Sequence, residues 1–338
     1  MGRYPGRRVF LTLPPETAHH LAIRLLGLPL PWRRIGGDPP DDPRLHVSLA
    51  GIPLTNPIGL AAGFDKGCQH LDHLGELGFG YVVGGTLTLR SRAGKPTPRI
   101  VRDPGPRALV NAMGLPNPGA EAAARRLERT PRTAPRFASL ADEAVEDAVA
   151  ALGLLEPHVD GFELNASSPN AGWRHEGSHV AALVRALRER TDKPLLVKLP
   201  RPEAPEERDV VLAMAGAAVA AGASGLVCAN TRPVEESRLG AGRGGLSGGP
   251  LTEGTPAVVR SVRGAVGEGI PLCASGGVFT AEDALACIRA GATTVQAYTG
   301  LVYEGPGIVG DLVRGLLAGI GDPRASVADL VGTASAAG

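Results

Sequence analysis

The run Phe162-Glu163-Leu164-Asn165-Ala166-Ser167-Ser168-Pro169-Asn170 is the stretch of this chain best suited to chemistry. An apolar stretch that reads as a buried strand gives way to two asparagines, two serines and a proline. The amides of Asn165 and Asn170 can donate and accept, and Pro169 stiffens the turn between them. Polar groups at the end of a core strand are costly unless they bind something. The carboxyl ends of parallel strands are also where α/β proteins build their sites. A turn capping the next helix would use similar residues, but other strand ends carry matching polar groups.

Lysine usage sharpens the point. Of 35 basic residues only four are lysine: Lys66, Lys95, Lys193 and Lys198. A lysine kept in an arginine-rich chain suits a role for a compact charge of adjustable protonation. Lys66 and Lys198 follow apolar runs, whereas Lys95 and Lys193 read as surface residues. The other strand ends carry Ala61-Ala62-Gly63, Gly84-Gly85-Thr86, Asn230-Thr231, Ser275-Gly276-Gly277 and Tyr298-Thr299-Gly300. Glycines after the last two strands suit a phosphate pocket of backbone N–H groups. Gly244-Gly245-Leu246-Ser247-Gly248-Gly249 adds a loop open to close approach. A flat, phosphorylated, polar-edged ligand follows, and FMN fits better than a sugar phosphate.

The elements that must position these groups are eight short apolar runs: 58–62, 81–85, 136–140, 159–164, 195–199, 225–229, 270–274 and 294–297. Continuous rather than alternating hydrophobicity suits parallel strands buried on both faces. Helical patterns fall at 70–77, 142–155, 178–190, 206–221, 281–290 and 309–320. Eight such units predict an α/β (β/α)₈ TIM barrel over residues 45–325. Two excursions interrupt it, at 87–135 and 231–255. Residues 326–338 read as a flexible tail.

Residues 1–44 form an N-terminal helical extension. Pro14-Pro15-Glu16 starts a helix, Leu21, Leu25 and Leu28 give it an apolar stripe, and Pro29 and Pro31 end it. Residues 1–34 hold six arginines against one glutamate. That pattern suits a membrane interface, and equally a helix packed across the bottom of the barrel. The overall charge of +1 leaves no nucleic-acid footprint. Cys68, Cys228, Cys273 and Cys287 lack metal-ligand or disulfide spacing, so no metal is expected. No apolar run reaches transmembrane length and no secretory signal is apparent.

With these motifs in order, the chain resembles the quinone-dependent class 2 branch of the dihydroorotate dehydrogenase family, over roughly residues 14–315. The carriers are Asn56-Pro57-Ile58-Gly59-Leu60-Ala61-Ala62-Gly63-Phe64-Asp65-Lys66, Asn111-Ala112-Met113-Gly114, the Asn165–Asn170 run, Gly244–Gly248 and Tyr298-Thr299-Gly300. Ser168, where the soluble branch has cysteine, and the Pro15–His19 run point to class 2. The resemblance implies FMN-dependent oxidation of dihydroorotate to orotate in pyrimidine biosynthesis, with electrons passed to a membrane quinone. It implies Ser168 as the base, and Lys66, Asn111, Ala112, Met113, Gly114, Leu115, Asn165, Asn170, Asn230 and Thr231 around the substrate. It places Ala62, Gly63, Lys66, Thr86, Ser139, Asn165, Lys198, Ala229, Gly248, Gly277, Tyr298 and Thr299 around FMN, and Arg102 between FMN and quinone. The implied location is peripheral, on the cytoplasmic side of the cell membrane.

Four departures stand out. Ser139 replaces a usual asparagine, Ala229 a common threonine and Leu115 an expected phenylalanine, and Ala171-Gly172-Trp173-Arg174 follows Asn170 where Thr-Pro-Gly is usual. They leave open a paralogue acting on another substrate. Two other readings are a Schiff-base barrel enzyme using Lys198 and a non-catalytic, membrane-attached flavin-binding protein.

Overall fold

A computed structural model describes residues 6–142, 144–166 and 177–334. Eight parallel strands close into a barrel. They are β1 (Ile58–Leu60), β2 (Tyr81–Leu87), β3 (Arg136–Leu140), β4 (Gly161–Asn165), β5 (Leu195–Lys198), β6 (Gly225–Cys228), β7 (Leu272–Ser275) and β8 (Thr294–Ala297). Each expected run overlaps one of them, and Val295 pairs with Ile58 to close the ring. Every residue of these strands is buried. That burial on both faces explains why the runs are continuously apolar.

The barrel interior alternates large and absent side chains. Tyr81 and Phe137 meet edge to face at 5.6 Å. A Cβ on Gly59 would lie 2.3 Å from the Tyr81 ring, and one on Gly161 would lie 2.4 Å from Phe137. These two glycines therefore make the room that the aromatic rings occupy. At the start of β3, buried Arg136 donates to the carbonyls of Leu127, Thr130 and His158. It thereby satisfies carbonyls at the end of helix Ala120–Arg129.

The two excursions are not loops. Ile100–Asp103 and Ala108–Asn111 come from the first, Arg232–Glu235 and Arg243–Gly248 from the second. They join in one four-stranded antiparallel sheet, with Asn111 opposite Gly245. Helices Ala120–Arg129 and Thr255–Val266 then return the chain to the barrel.

The helix expected after Pro14 runs Pro15–Leu26, with Pro15 at its first position and Glu16 in its first turn. It is preceded by a short helix, Arg7–Thr12. The segment does not cross the bottom of the barrel. Glu16 pairs with Arg99, and Arg102 donates to the carbonyls of Phe10 and Leu13, so the helices lie against the excursion sheet. The packed face is Ala18, Ile23 and Leu26, while Leu21 and Leu25 are half-buried and Leu28 is exposed. Among the described residues no helix is long and apolar enough to cross a membrane. The expected flexible tail is pinned through its described part. Val327 is buried, and Gly332 and Ala334 donate backbone bonds to Ile288 and Arg289.

Candidate functional site

The carboxyl ends of the strands and the excursion sheet enclose a cavity of about 1100 Å³. The loop after β1 supplies its first charged group. Asp65 is fully buried and accepts from the backbone N–H groups of Gly67 and His70. Gly63 takes φ +101° and donates to Gly85, which lets the loop fold inward. Lys66 is thereby aimed into the cavity, with Nζ donating to the Gly63 carbonyl at 2.7 Å. Burial pulls its pKa down to about 8, against the opposing pull of the Glu16 and Asp65 carboxylates.

A residue of the N-terminal helix completes this corner. His19 Nε2 lies 3.4 Å from Lys66 Nζ, and the His19 ring meets Phe64 edge to face at 5.5 Å. Burial, reinforced by the Lys66 cation, holds His19 down at about 3 and hence neutral near pH 7. Phe64 in turn meets Tyr298 at 5.8 Å, and the Tyr298 hydroxyl donates to Gly63. Burial pushes that phenol up to about 12, so it stays a neutral donor.

The floor is polar. Lys198 at the end of β5 lies 3.6 Å from Glu163, a carboxylate with no solvent exposure in the middle of β4. Glu163 also accepts from the Gln296 amide at 2.9 Å. Gln296 lines the cavity, and its buried Oε1 has no hydrogen-bond partner among the described residues. Beside it, the Asn165 amide donates to the Thr86 hydroxyl at 3.3 Å, and Thr86 shares a 2.9 Å bond with Ser139. This chain fixes the orientation of the Asn165 amide.

Opposite lies a cradle of backbone. Gly248 and Gly277 sit at φ +95° and +73°. A Cβ on Gly248 would lie 2.2 Å from the Arg107 carbonyl, on Gly277 2.4 Å from the Thr252 nitrogen, and on Gly300 2.4 Å from the Val278 carbonyl. The Thr299 hydroxyl donates to Ser247 at this wall. The absent side chains let backbone segments pack closely at this wall of the cavity, and a glycine-rich backbone wall suits a phosphate group.

Of the residues expected from sequence, Ala62, Gly63, Lys66, Thr86, Asn111, Ala112, Met113, Gly114, Leu115, Asn165, Lys198, Ala229, Asn230, Thr231, Gly248, Gly277, Tyr298 and Thr299 all line the cavity. Leu115 does so at φ +56°, a left-handed conformation unusual for its type. Ser139 does not reach the wall. It is fully buried behind Thr86, because a side chain within a strand can face the neighbouring strand's residue rather than the opening. Arg102 is committed to carbonyls of the N-terminal segment. Ser168 and Asn170 lie outside the described residues. Sequence reasoning missed Gln296, Glu163 and His19. A signal existed for the first two, since each is a polar residue inside an apolar strand run.

Comparison with known proteins agrees with this geometry. A family profile described as Dihydroorotate dehydrogenase matches residues 44–320. A protein of Anaeromyxobacter dehalogenans strain 2CP-C named Dihydroorotate dehydrogenase (quinone) is 42% identical over 332 aligned positions, covering 92% of this chain and 90% of its own. One of that name from Thermus thermophilus is 41% identical, covering 92% and 94%. The structure described as DHODH in complex with ferulenol from Eimeria tenella superposes with a TM-score of 0.80 at 27% identity, covering 97% of this chain and 98% of that one.

Proposed function

The chain belongs to the dihydroorotate dehydrogenase family, and from that premise we propose how its residues divide the work. It is an oxidoreductase of the quinone-dependent branch that oxidises dihydroorotate to orotate in pyrimidine biosynthesis. The Schiff-base and non-catalytic readings are thereby set aside.

We propose FMN as the cofactor. The observation that carries it is the pairing, in one cavity, of the glycine cradle at Gly248, Gly277 and Gly300 with the polar floor of Lys198, Gln296 and Thr86. The cradle suits the phosphate. The partnerless Gln296 Oε1 is an acceptor awaiting a donor on a ring edge. FMN supplies the two-electron acceptor when bound. Lys198 and Glu163 form a charged pair beneath that position, and Lys66 with Asn111, Asn165, Asn170 and Asn230 would grip the anionic substrate. Ser168 would take the proton.

Residues 1–44 would serve as the quinone-facing segment and 45–325 as the FMN-binding barrel. Leu11 packs against a small cluster of Leu109, Phe279, Tyr298, Val302 and Tyr303, an apolar link between the segment and the cavity. Exposed Val9, Leu28 and Leu30 beside the arginines suit peripheral contact with the cytoplasmic face of the cell membrane. The test is release of the cofactor from purified protein, followed by turnover with a lipophilic quinone. FMN and quinone-supported orotate formation are expected; FAD, or a preference for fumarate, would overturn the reading.

A further inference from the structure

Sequence spacing alone points to no metal site, but the fold brings three ligand-bearing side chains together at the edge of the barrel. One donor atom from each of His70, Asp72 and His73 lies within 4.8 Å of the other two. We propose that these residues bind one divalent transition-metal ion, with Zn²⁺ the best match to two imidazoles and a carboxylate.

The hydrogen-bond geometry carries the argument. His73 Nδ1 lies 2.5 Å from the Leu26 carbonyl. A carbonyl only accepts, so Nδ1 carries the proton. Nε2 of a neutral ring then presents a lone pair. That atom faces the Asp72 carboxylate, with Nε2 and Oδ2 3.8 Å apart. The two atoms face each other beyond hydrogen-bond distance. The second carboxylate oxygen, Asp72 Oδ1, is buried and has no hydrogen-bond partner among the described residues. A buried acceptor left unpaired is costly, and a cation would satisfy it. A ligating histidine whose other nitrogen donates to a backbone carbonyl is also the usual outer-shell arrangement of metal sites.

His70 supplies the third ligand. Its ring lies nearly parallel to that of His73, at 6.0 Å and 14°. Two donors on one ion with bonds of about 2.1 Å lie at most about 4.2 Å apart, so the observed spread closes with a small side-chain rotation. Trp32, 6.1 Å from His73, covers one side. All three ligands are half-buried, which leaves a route for the ion and for water to complete its coordination.

The position gives the ion a structural role. Leu26 holds His73, and a Cβ on Gly27 would lie 3.0 Å from the His70 ring. The carboxyl end of helix Pro15–Leu26 therefore rests directly on two of the ligands. A bound ion would fasten the N-terminal segment to barrel helix Leu71–Glu76.

The test uses the untagged full-length chain with its cofactor, stripped of metal by a chelator and titrated with Zn²⁺ in a calorimeter. One ion per chain is expected, with affinity at least tenfold lower in His70→Gln and in Asp72→Asn. Zn²⁺ should also slow amide exchange at residues 26–30 in the parent protein only. The parent protein decides the matter even if both variants misfold. With its histidines ¹⁵N-labelled, Co²⁺ should broaden the ring signals of His70 and His73 before those of His46 or His158. No saturable binding, affinity unchanged in both folded variants, or broadening centred on other histidines would overturn the proposal.

Discussion

Lys66 should make orotate binding depend on pH in a way that can be calculated from its surroundings. In the ligand-free protein burial holds its pKa down at about 8, well below 10.5. The proposed site sets the orotate carboxylate close to Nζ, and an adjacent anion favours the ammonium form. Binding then takes up a proton wherever Lys66 is neutral beforehand. The affinity is therefore complete below pH 8 and is lost as pH rises through it. The apparent Kd scales as one plus the neutral-to-charged ratio, which gives factors of about 1.1 at pH 7, 2 at pH 8 and 11 at pH 9. The loss from pH 7 to 9 is thus about tenfold, or about 1.4 kcal/mol. Orotate would be titrated against the oxidised protein and followed by the change in flavin absorbance. Lys66→Met should bind weakly at pH 7 and show no such slope. An affinity that is flat from pH 7 to 9 in the parent protein, or an equal slope in Lys66→Met, would refute the assignment.

Gly59→Ala should cost about 1–3 kcal/mol, since its Cβ would fall 2.3 Å from the fully buried Tyr81 ring; a shift in denaturation midpoint worth under roughly 0.5 kcal/mol would argue against that packing. Ser168→Ala should retain FMN while slowing its reduction by dihydroorotate by roughly 10²–10⁴-fold, the usual worth of a positioned base. Ser167→Ala should do far less, and equal small effects in stopped-flow traces would remove Ser168 as the base. Deleting residues 1–44 should spare flavin reduction but sharply lower turnover with a long-chain quinone. An undiminished quinone rate in the folded, flavin-loaded truncation would exclude that segment from the electron exit.

The barrel was legible because parallel strands buried on both faces leave largely apolar runs, which single polar residues such as Glu163 and Gln296 punctuate without hiding. The lysine bias was informative in part: Lys66 and Lys198 line the cavity and Lys193 bonds carbonyls on the periphery, but Lys95, read as a surface residue, lines the cavity too. The mouth sheet was not legible. Its strands are short, glycine-rich or half-exposed, and they pair between excursions more than a hundred residues apart, as with Leu246 and Val110. Local pattern carries no trace of such partners. The N-terminal helix was read correctly as a helix, but its leucine stripe suggested the wrong packed face. Ala18, Ile23 and Leu26 pack instead, with the Glu16–Arg99 pair holding the helix's first turn from outside. Ser139 was placed at the cavity by resemblance, while the fold turns it toward Thr86.

The account rests most heavily on one cavity holding both the flavin and dihydroorotate. Anaerobic addition of dihydroorotate to the purified, oxidised protein examines both at once. The flavin band should bleach with about one equivalent of dihydroorotate per chain, and a lipophilic quinone should then restore it. A band that stays oxidised with dihydroorotate, yet bleaches with dithionite, would contradict the central claim.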